Sequence, residues 1–346
     1  MQPDYSRQML LEQVGAAGQA RLAASRVLVV GAGGLGSPVL QYLAGAGVGH
    51  LGLVEADTLD ASNLHRQPLY ALADVGRPKA DLARAALAAL NPTVDVAVYP
   101  QRFTADNALA LIAAHDVVVD CSDNFQTKFC INDAAVLARR PAVFASVYQY
   151  EGQLQVYKPE AGHACLRCLW PDATVDGVVG NCAEAGVLGP VPGILGGMQA
   201  LVTLKILLGM PGQLEGELLL LDFANFSSTT LKARRRAACA APSCALVQDL
   251  ERDEPDLEIV LPSLSAAAPR FEVIDIRSDD EVAARPILAR HIAMPELLAH
   301  PDALARGGEY LLLCASGKRS LATARALRKR GLKVRSLAGG LAALRG

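Results

Sequence analysis

The stretch VLVVGAGGLGS, residues 27–37, decides the fold. Its four leading residues are apolar and mostly β-branched, which suits a buried strand. Gly31-Ala32-Gly33-Gly34-Leu35-Gly36 then turns the chain into a helical pattern. Such a turn leaves backbone N–H groups and the positive end of a helix dipole facing an anion. A phosphate is therefore expected here. The turn fits the pyrophosphate of a nicotinamide dinucleotide and the phosphates of ATP equally well.

Working outward, β-rich runs alternate with helical patterns: strands at 26–30, 50–55, 94–99 and 116–120, and helices at 37–46, 78–90 and 105–114. That alternation specifies a doubly wound α/β domain with a mostly parallel, Rossmann-like sheet. GQLQVYK (152–158) and GELLLLDF (216–223) read as antiparallel additions, with an apolar helix near 193–208 between them. The charged, proline-containing LERDEPD (250–256) reads as part of a linker over 249–256, separating a domain at 1–248 from a second at 257–346. In the second, FEVIDIR and EYLLLCA are strands, SLATARALRKRG is a glycine-closed helix and KVRSL another strand, giving a small α/β domain.

The chain has 346 residues, 51% hydrophobic, enough for more than one core. Thirty-three basic and 35 acidic residues give a net charge of −2, so neither nucleic acid nor an anionic membrane is expected as a partner. KARRR (232–236) reads as a solvated face. The N-terminus MQPDYSRQML lacks an export pattern, so a cytoplasmic location is expected. Pro190, Pro192 and several glycines interrupt the most apolar run, 187–209, which reads as a buried helix and not a membrane span. The eight cysteines are then expected reduced, as ligands, nucleophiles or core residues.

Glu55, 19 residues beyond Gly36, is placed to meet ribose hydroxyls. A dehydrogenase would also need a proton-transferring group, and the six histidines form no such arrangement. Asn63, Arg66 and Gln67 in DASNLHRQ, Lys79 in VGRPKAD, and Asp123 and Asn124 in DCSDN instead follow the strands in turn. Arg66 and Lys79 suit charge neutralisation at an α-phosphate, and Asp123 suits Mg²⁺ on a triphosphate. Either cation taken alone reads equally as a solvated loop charge.

GAGGLG, SNLHRQ, GRPKAD, DCSDN and NCAEAGVLGPVPGILGGMQAL, in this order and spacing, resemble the E1-like adenylyltransferases of the MoeB/ThiF group over residues 4 to 248. The resemblance implies adenylation of the C-terminal glycine of a small ubiquitin-fold sulfur carrier ending in Gly-Gly. It assigns Gly34, Glu55, Asn63, Arg66, Gln67, Lys79, Asp123 and Asn124 to ATP, with Mg²⁺. It also implies a homodimer, in which Arg7 reaches the ATP of the neighbouring subunit. Glu55 departs from the group's usual Asp. Which pathway the carrier serves, molybdopterin, thiamine or another, has no short motif.

CLRC (Cys165, Cys168) and CAAPSC (Cys239, Cys244) offer four thiolates for a structural Zn²⁺ knuckle, with a redox dithiol as the rival. The second pair is C-x4-C where the group usually has C-x-x-C. Cys182 in GNCAEAGV matches a position where relatives carry a cysteine thought to link covalently to the carrier. Cys121 and Cys130 are expected in the packing.

LLLCASGKRS sets Cys314 at a strand end, facing backbone N–H groups, a helix N-terminus, Lys318 and Arg319, a setting that favours a thiolate or persulfide anion. With VIDIR and LAGGLAAL this resembles a rhodanese-like sulfurtransferase domain across 257–346. The resemblance makes Cys314 a persulfide carrier fed by a persulfide or thiosulfate donor. ARHIAMP departs from the usual GHIPGA, and the aromatic residue after the glycine pair is missing. Two rival readings are adenylation alone with sulfur from another protein, and a nucleotide-holding sensor without turnover.

Overall fold

The computed structural model describes residues 3–159, 162–170, 186–214, 216–237, 239, 247, 256–267 and 270–344. The expected linker at 249–256 lies, apart from Asp256, outside the described residues. The chain divides into two compact units.

The first carries an eight-stranded sheet of order β3-β2-β1-β4-β5-β6-β7-β8. Its strands are β1 (Arg26–Val30), β2 (His50–Val54), β3 (Asp95–Tyr99), β4 (Val117–Asp120), β5 (Ala142–Tyr148), β6 (Glu151–Tyr157), β7 (Glu217–Asp222) and β8 (Ser227–Lys232). Strands β1 to β5 pair in parallel, whereas β6, β7 and β8 add on antiparallel. Val27, Leu28 and Val29 are fully buried, because β1 has a strand on each edge and helices on both faces. The polar strand β8 is exposed throughout and has no counterpart in the sequence reading.

The apolar run near 193–208 forms the Pro190–Leu208 helix, long and apolar enough to span a bilayer by composition alone. Here 56% of it is buried. Gln199 sits fully buried within it and donates to the carbonyl of Asp120 at 2.7 Å. A polar side chain satisfied by the end of β4 fits a core helix packed on the sheet.

The second unit has a five-stranded parallel sheet, order β11-β10-β12-β13-β9, from β9 (Glu258–Ile259), β10 (Glu272–Asp275), β11 (Arg290–His291), β12 (Glu309–Leu313) and β13 (Lys333–Leu337). Two apolar clusters, one on Ile274, Leu312 and Val334 and one on Phe271, Leu311 and Leu341, form its core.

At the end of β4 Asp120 is fully buried and ion-paired with Lys128 of the Phe125–Ala138 helix. Lys128 also donates to the Ala145 carbonyl at 2.7 Å. Removing one partner would strand a buried charge, which costs about 3–5 kcal/mol, whereas removing both leaves little to compensate. Lys128→Met is therefore expected to destabilise the first unit by that amount, and Asp120→Asn with Lys128→Met to recover most of it. Urea unfolding followed by the fluorescence of Trp170, the chain's one tryptophan, checks this.

Candidate functional site

Strand order reverses between β1 and β4, so a crevice opens beyond their C-terminal ends. The glycine turn lies there. Gly31 has φ +98°, and a Cβ on it would sit 2.7 Å from the Cys121 carbonyl. A Cβ on Gly36 would collide with the Gly31 carbonyl, so this tight turn needs both glycines.

Inside the turn the Ala32 peptide is held from both sides. Its N–H donates to Glu55 Oε2 at 2.8 Å, and its carbonyl accepts from Tyr70 Oη at 2.9 Å. The other Glu55 oxygen accepts from the Asp57 N–H at 2.8 Å. The side chain of Glu55 thus reaches back to the turn, with acceptor capacity left on both oxygens. Burial, with the nearby Glu55 charge, pushes the Tyr70 phenol far above its usual range, so it stays a donor.

The 63–70 loop packs on the same turn. Gln67 is 3% exposed, lies beside Gly33, and its Oε1 has no hydrogen-bond partner among the described residues. Asn63 caps its short helix by accepting from the Asp60 N–H at 3.3 Å. Arg66 donates to the Ser62 carbonyl at 2.9 Å and meets His65 Nε2 at 2.8 Å. Pro192 covers Gly34, which joins the Pro190–Leu208 helix to the turn.

Lys79 opens its helix, is buried, and sits 3.5 Å from Asp57 Oδ2. This burial does not fit the alternative of a solvated loop charge, and a cation held out of water acts more strongly on neighbouring charge. Asp123 and Asn124 are exposed just past β4. Asn124 caps the Phe125–Ala138 helix, accepting from the Thr127 N–H at 2.8 Å, and its amide lies 3.4 Å from Asp123 Oδ1. Arg7 is exposed on the Ser6–Met9 helix, which Tyr5 and Gln8 tie to Asn91 and the Ala46 carbonyl. It makes no hydrogen bond to the cleft residues of its own chain among the described residues.

Cys165, Cys168 and Cys239 converge in the interior. The sulfurs of Cys165 and Cys168 are 3.9 Å apart and those of Cys165 and Cys239 3.7 Å. Thiolates about 2.3 Å from a tetrahedral metal stand about 3.8 Å from one another, so the donor set fits one. Hydrogen bonds from Cys165 above all, and from the Arg236 N–H and Cys239, hold Cys168 down to about 5, the thiolate form a metal requires. Arg236, within the basic run, also donates to the Cys168 carbonyl at 2.7 Å. Asn132 accepts from the Leu166 N–H, and Asp133 pairs bidentately with buried Arg167, bracing the C-x-x-C loop. Cys244 and Cys182 lie outside the described residues. Cys121 is buried and Cys130 partly so.

In the second unit Cys314 follows β12 and is fully buried. The Ser320 N–H points at its sulfur, 3.4 Å away. Arg319, expected to face the thiol, instead forms a two-pronged ion pair with Glu281 of the Asp279–Ala284 helix, one prong at 2.8 Å. Glu281 was not singled out because the pair spans 38 residues. The side chain of Lys318 lies outside the described residues.

The model of the ThiF family matches residues 5–243. The chain belongs to the ThiF family. A rhodanese-like domain matches residues 262–346. The sulfur carrier protein adenylyltransferase of Thermus thermophilus is 50% identical over 244 residues, 69% of this ThiF-family chain and 89% of that protein. The adenylyltransferase and sulfurtransferase MOCS3 of Mus musculus is 48% identical over 252 residues, 71% of this chain and 55% of that protein. The MOCS3 protein of Anopheles gambiae is 39% identical over 309 residues, 89% of this chain and 66% of that protein, so this match reaches into the second unit. The chain thus spans between half and two thirds of these animal relatives. A crystal structure of E. coli MccB with MccA-N7isoASN shares the fold, with a TM-score of 0.60 at 21% identity over 71% of this chain and 74% of that one.

The Arg319 guanidinium pulls Glu281 from 4.5 to about 2. Its stabilisation is complete above about 4.5 and is lost as pH falls through about 2. The thermal stability of the second unit is expected to fall as pH drops through that window, and Glu281→Gln to flatten the dependence.

Proposed function

We propose that this ThiF-family chain adenylates the C-terminal glycine of a ubiquitin-fold sulfur carrier and then places sulfur on it. The observation that carries the reading is the convergence of the 63–70 loop and Glu55 on the Ala32 peptide, with buried Lys79 beside them, in a chain that also holds the Cys314 loop. The turn's N–H groups receive phosphate oxygens, and Glu55 receives the ribose. Arg66 and Lys79 offset charge growing at the α-phosphate as the carrier's carboxylate attacks and pyrophosphate leaves. Asp123 would hold Mg²⁺ on the departing phosphates. An Arg7 from a second copy completes the site in a homodimer.

For sulfur transfer, the terminal sulfur of a Cys314 persulfide attacks the acyl adenylate and AMP leaves, giving an acyl disulfide. The Cys182 thiolate then attacks the Cys314 sulfur, which releases the carrier thiocarboxylate and leaves a Cys182–Cys314 disulfide. The names of the Thermus and animal relatives support both halves. The persulfide donor is a thiosulfate or a protein persulfide, and the setting is cytoplasmic. Adenylation alone is the second reading, favoured by the full burial of Cys314 and the engagement of Arg319 by Glu281.

ATP–pyrophosphate exchange is expected only with a Gly-Gly-tailed carrier, and Arg66→Ala is expected to lower it by about 10²–10³-fold. Exchange without carrier, or unaltered in Arg66→Ala, removes the adenylation reading. In the same preparation Cys314→Ala is expected to keep exchange and lose thiocarboxylate, detected by mass spectrometry; retained thiocarboxylate selects the second reading.

The three convergent thiols, with Cys244 as fourth ligand, bind a structural Zn²⁺. Freshly purified protein is expected to carry about one zinc per chain, and Cys165→Ser to lose both the metal and thermal stability. Elemental analysis without zinc overturns this assignment.

A further inference from the structure

Two hydroxyls and the acceptors they must share meet beneath the Cys314 loop. Ser320 Oγ lies 3.6 Å from Cys314 Sγ, 3.0 Å from the Gly317 carbonyl oxygen and 2.8 Å from Ser336 Oγ. Ser336 comes from β13 and lies 3.5 Å from the same Gly317 oxygen. Cys314, Ser320 and Ser336 are all fully buried. No solvent donor competes with these groups.

A hydroxyl has one proton to give and two lone pairs to receive with. Beside a neutral thiol, the Ser320 proton is best placed on the Gly317 carbonyl. Beside a sulfur anion, the charge-assisted bond is the stronger one, so that proton turns to sulfur. Gly317 is not orphaned by the turn, because the Leu321 N–H still donates to it at 3.0 Å. What the turn does require is a proton for the Ser320 oxygen, and Ser336 is within reach to give it.

We propose that Ser336 is a positioning residue for the Cys314 anion: its hydroxyl donates to Ser320 Oγ, so that Ser320 presents both its N–H and its hydroxyl to the sulfur. The inference deepens the sulfur-transfer reading and rests on it for the anion's use, not for its existence. Three charged groups described at this end of the sheet have partners of their own. Arg319 pairs with Glu281, Arg277 pairs bidentately with Asp275, and His291 Nε2 lies on the Arg277 carbonyl. Among the described residues, the two hydroxyls are the groups able to respond to charge on the sulfur by rotating.

The test uses the full chain. Iodoacetamide modification of the Cys314 peptide is followed by mass spectrometry from pH 5 to 10, for wild type, Ser336→Ala, Ser320→Ala, the double variant and Ser336→Thr. Ser336→Ala is expected to raise the pH midpoint by about half a unit, or about threefold in thiolate fraction, and Ser320→Ala by about one unit. The double variant should match Ser320→Ala, because Ser336 acts through it, and Ser336→Thr should restore the wild-type midpoint. A Ser336→Ala profile superimposed on wild type, or additive shifts in the double variant, overturns the proposal. The readout needs no sulfur transfer, so a missing transferase activity with these shifts intact would fault the functional reading and leave the hydrogen-bond relay standing.

Discussion

The clamp on the Ala32 peptide is the constraint from which the first unit's site follows. A glycine-rich turn is entropically loose by composition. Here its one non-glycine residue before Leu35, Ala32, has its N–H bound by Glu55 and its carbonyl bound by Tyr70. Glu55 ends the neighbouring strand, and Tyr70 ends the loop that carries Arg66 and Gln67. One residue, through the two peptide planes that flank it, thereby registers three segments against one another before any nucleotide arrives. Preorganisation of this kind spares the binding step part of the cost of ordering the donors.

The two units solve the problem of holding an anion differently. In the first, backbone N–H groups and partly desolvated cations lie near a strand-order reversal, with the charge of buried Lys79 partly offset by Asp57. In the second, Arg319 and Arg277 are tied to carboxylates, and among the described residues the groups that meet the sulfur are a peptide N–H and a neutral hydroxyl. Fixed dipoles lose less to desolvation than full charges and suit a fully buried sulfur.

Much of this was legible in the sequence, because apolar β-branched runs and glycine turns report on local geometry. The parallel strands and the Pro190–Leu208 helix follow from such runs, whereas Arg66, Lys79 and Asp123 were singled out by the loop motifs between them. The strand Ser227–Lys232 was not legible, since its residues are exposed throughout and, Leu231 apart, polar, and only the pairing with β7 makes it a strand. The Asp120–Lys128 and Asp133–Arg167 pairs escaped because buried charges look like surface charges in a one-dimensional pattern. Tyr70 carries no motif that marks it in the sequence, and the engagement of Arg319 by Glu281 depends on a helix far away in the chain.

The Phe125–Ala138 helix joins two chemistries that the sequence keeps far apart. Its cap, Asn124, adjoins Asp123 at the phosphate end, while Asn132 and Asp133 grip the backbone and arginine of the C-x-x-C loop. Eight residues of helix separate the cap from the grip, a rod of about 12 Å. A stiff rod anchored at one end transmits slack from that end to the other. The C-x-x-C loop and Asp123 are therefore held to opposite parts of one helix, so a change in the loop has a direct mechanical route to the end of the helix beside Asp123.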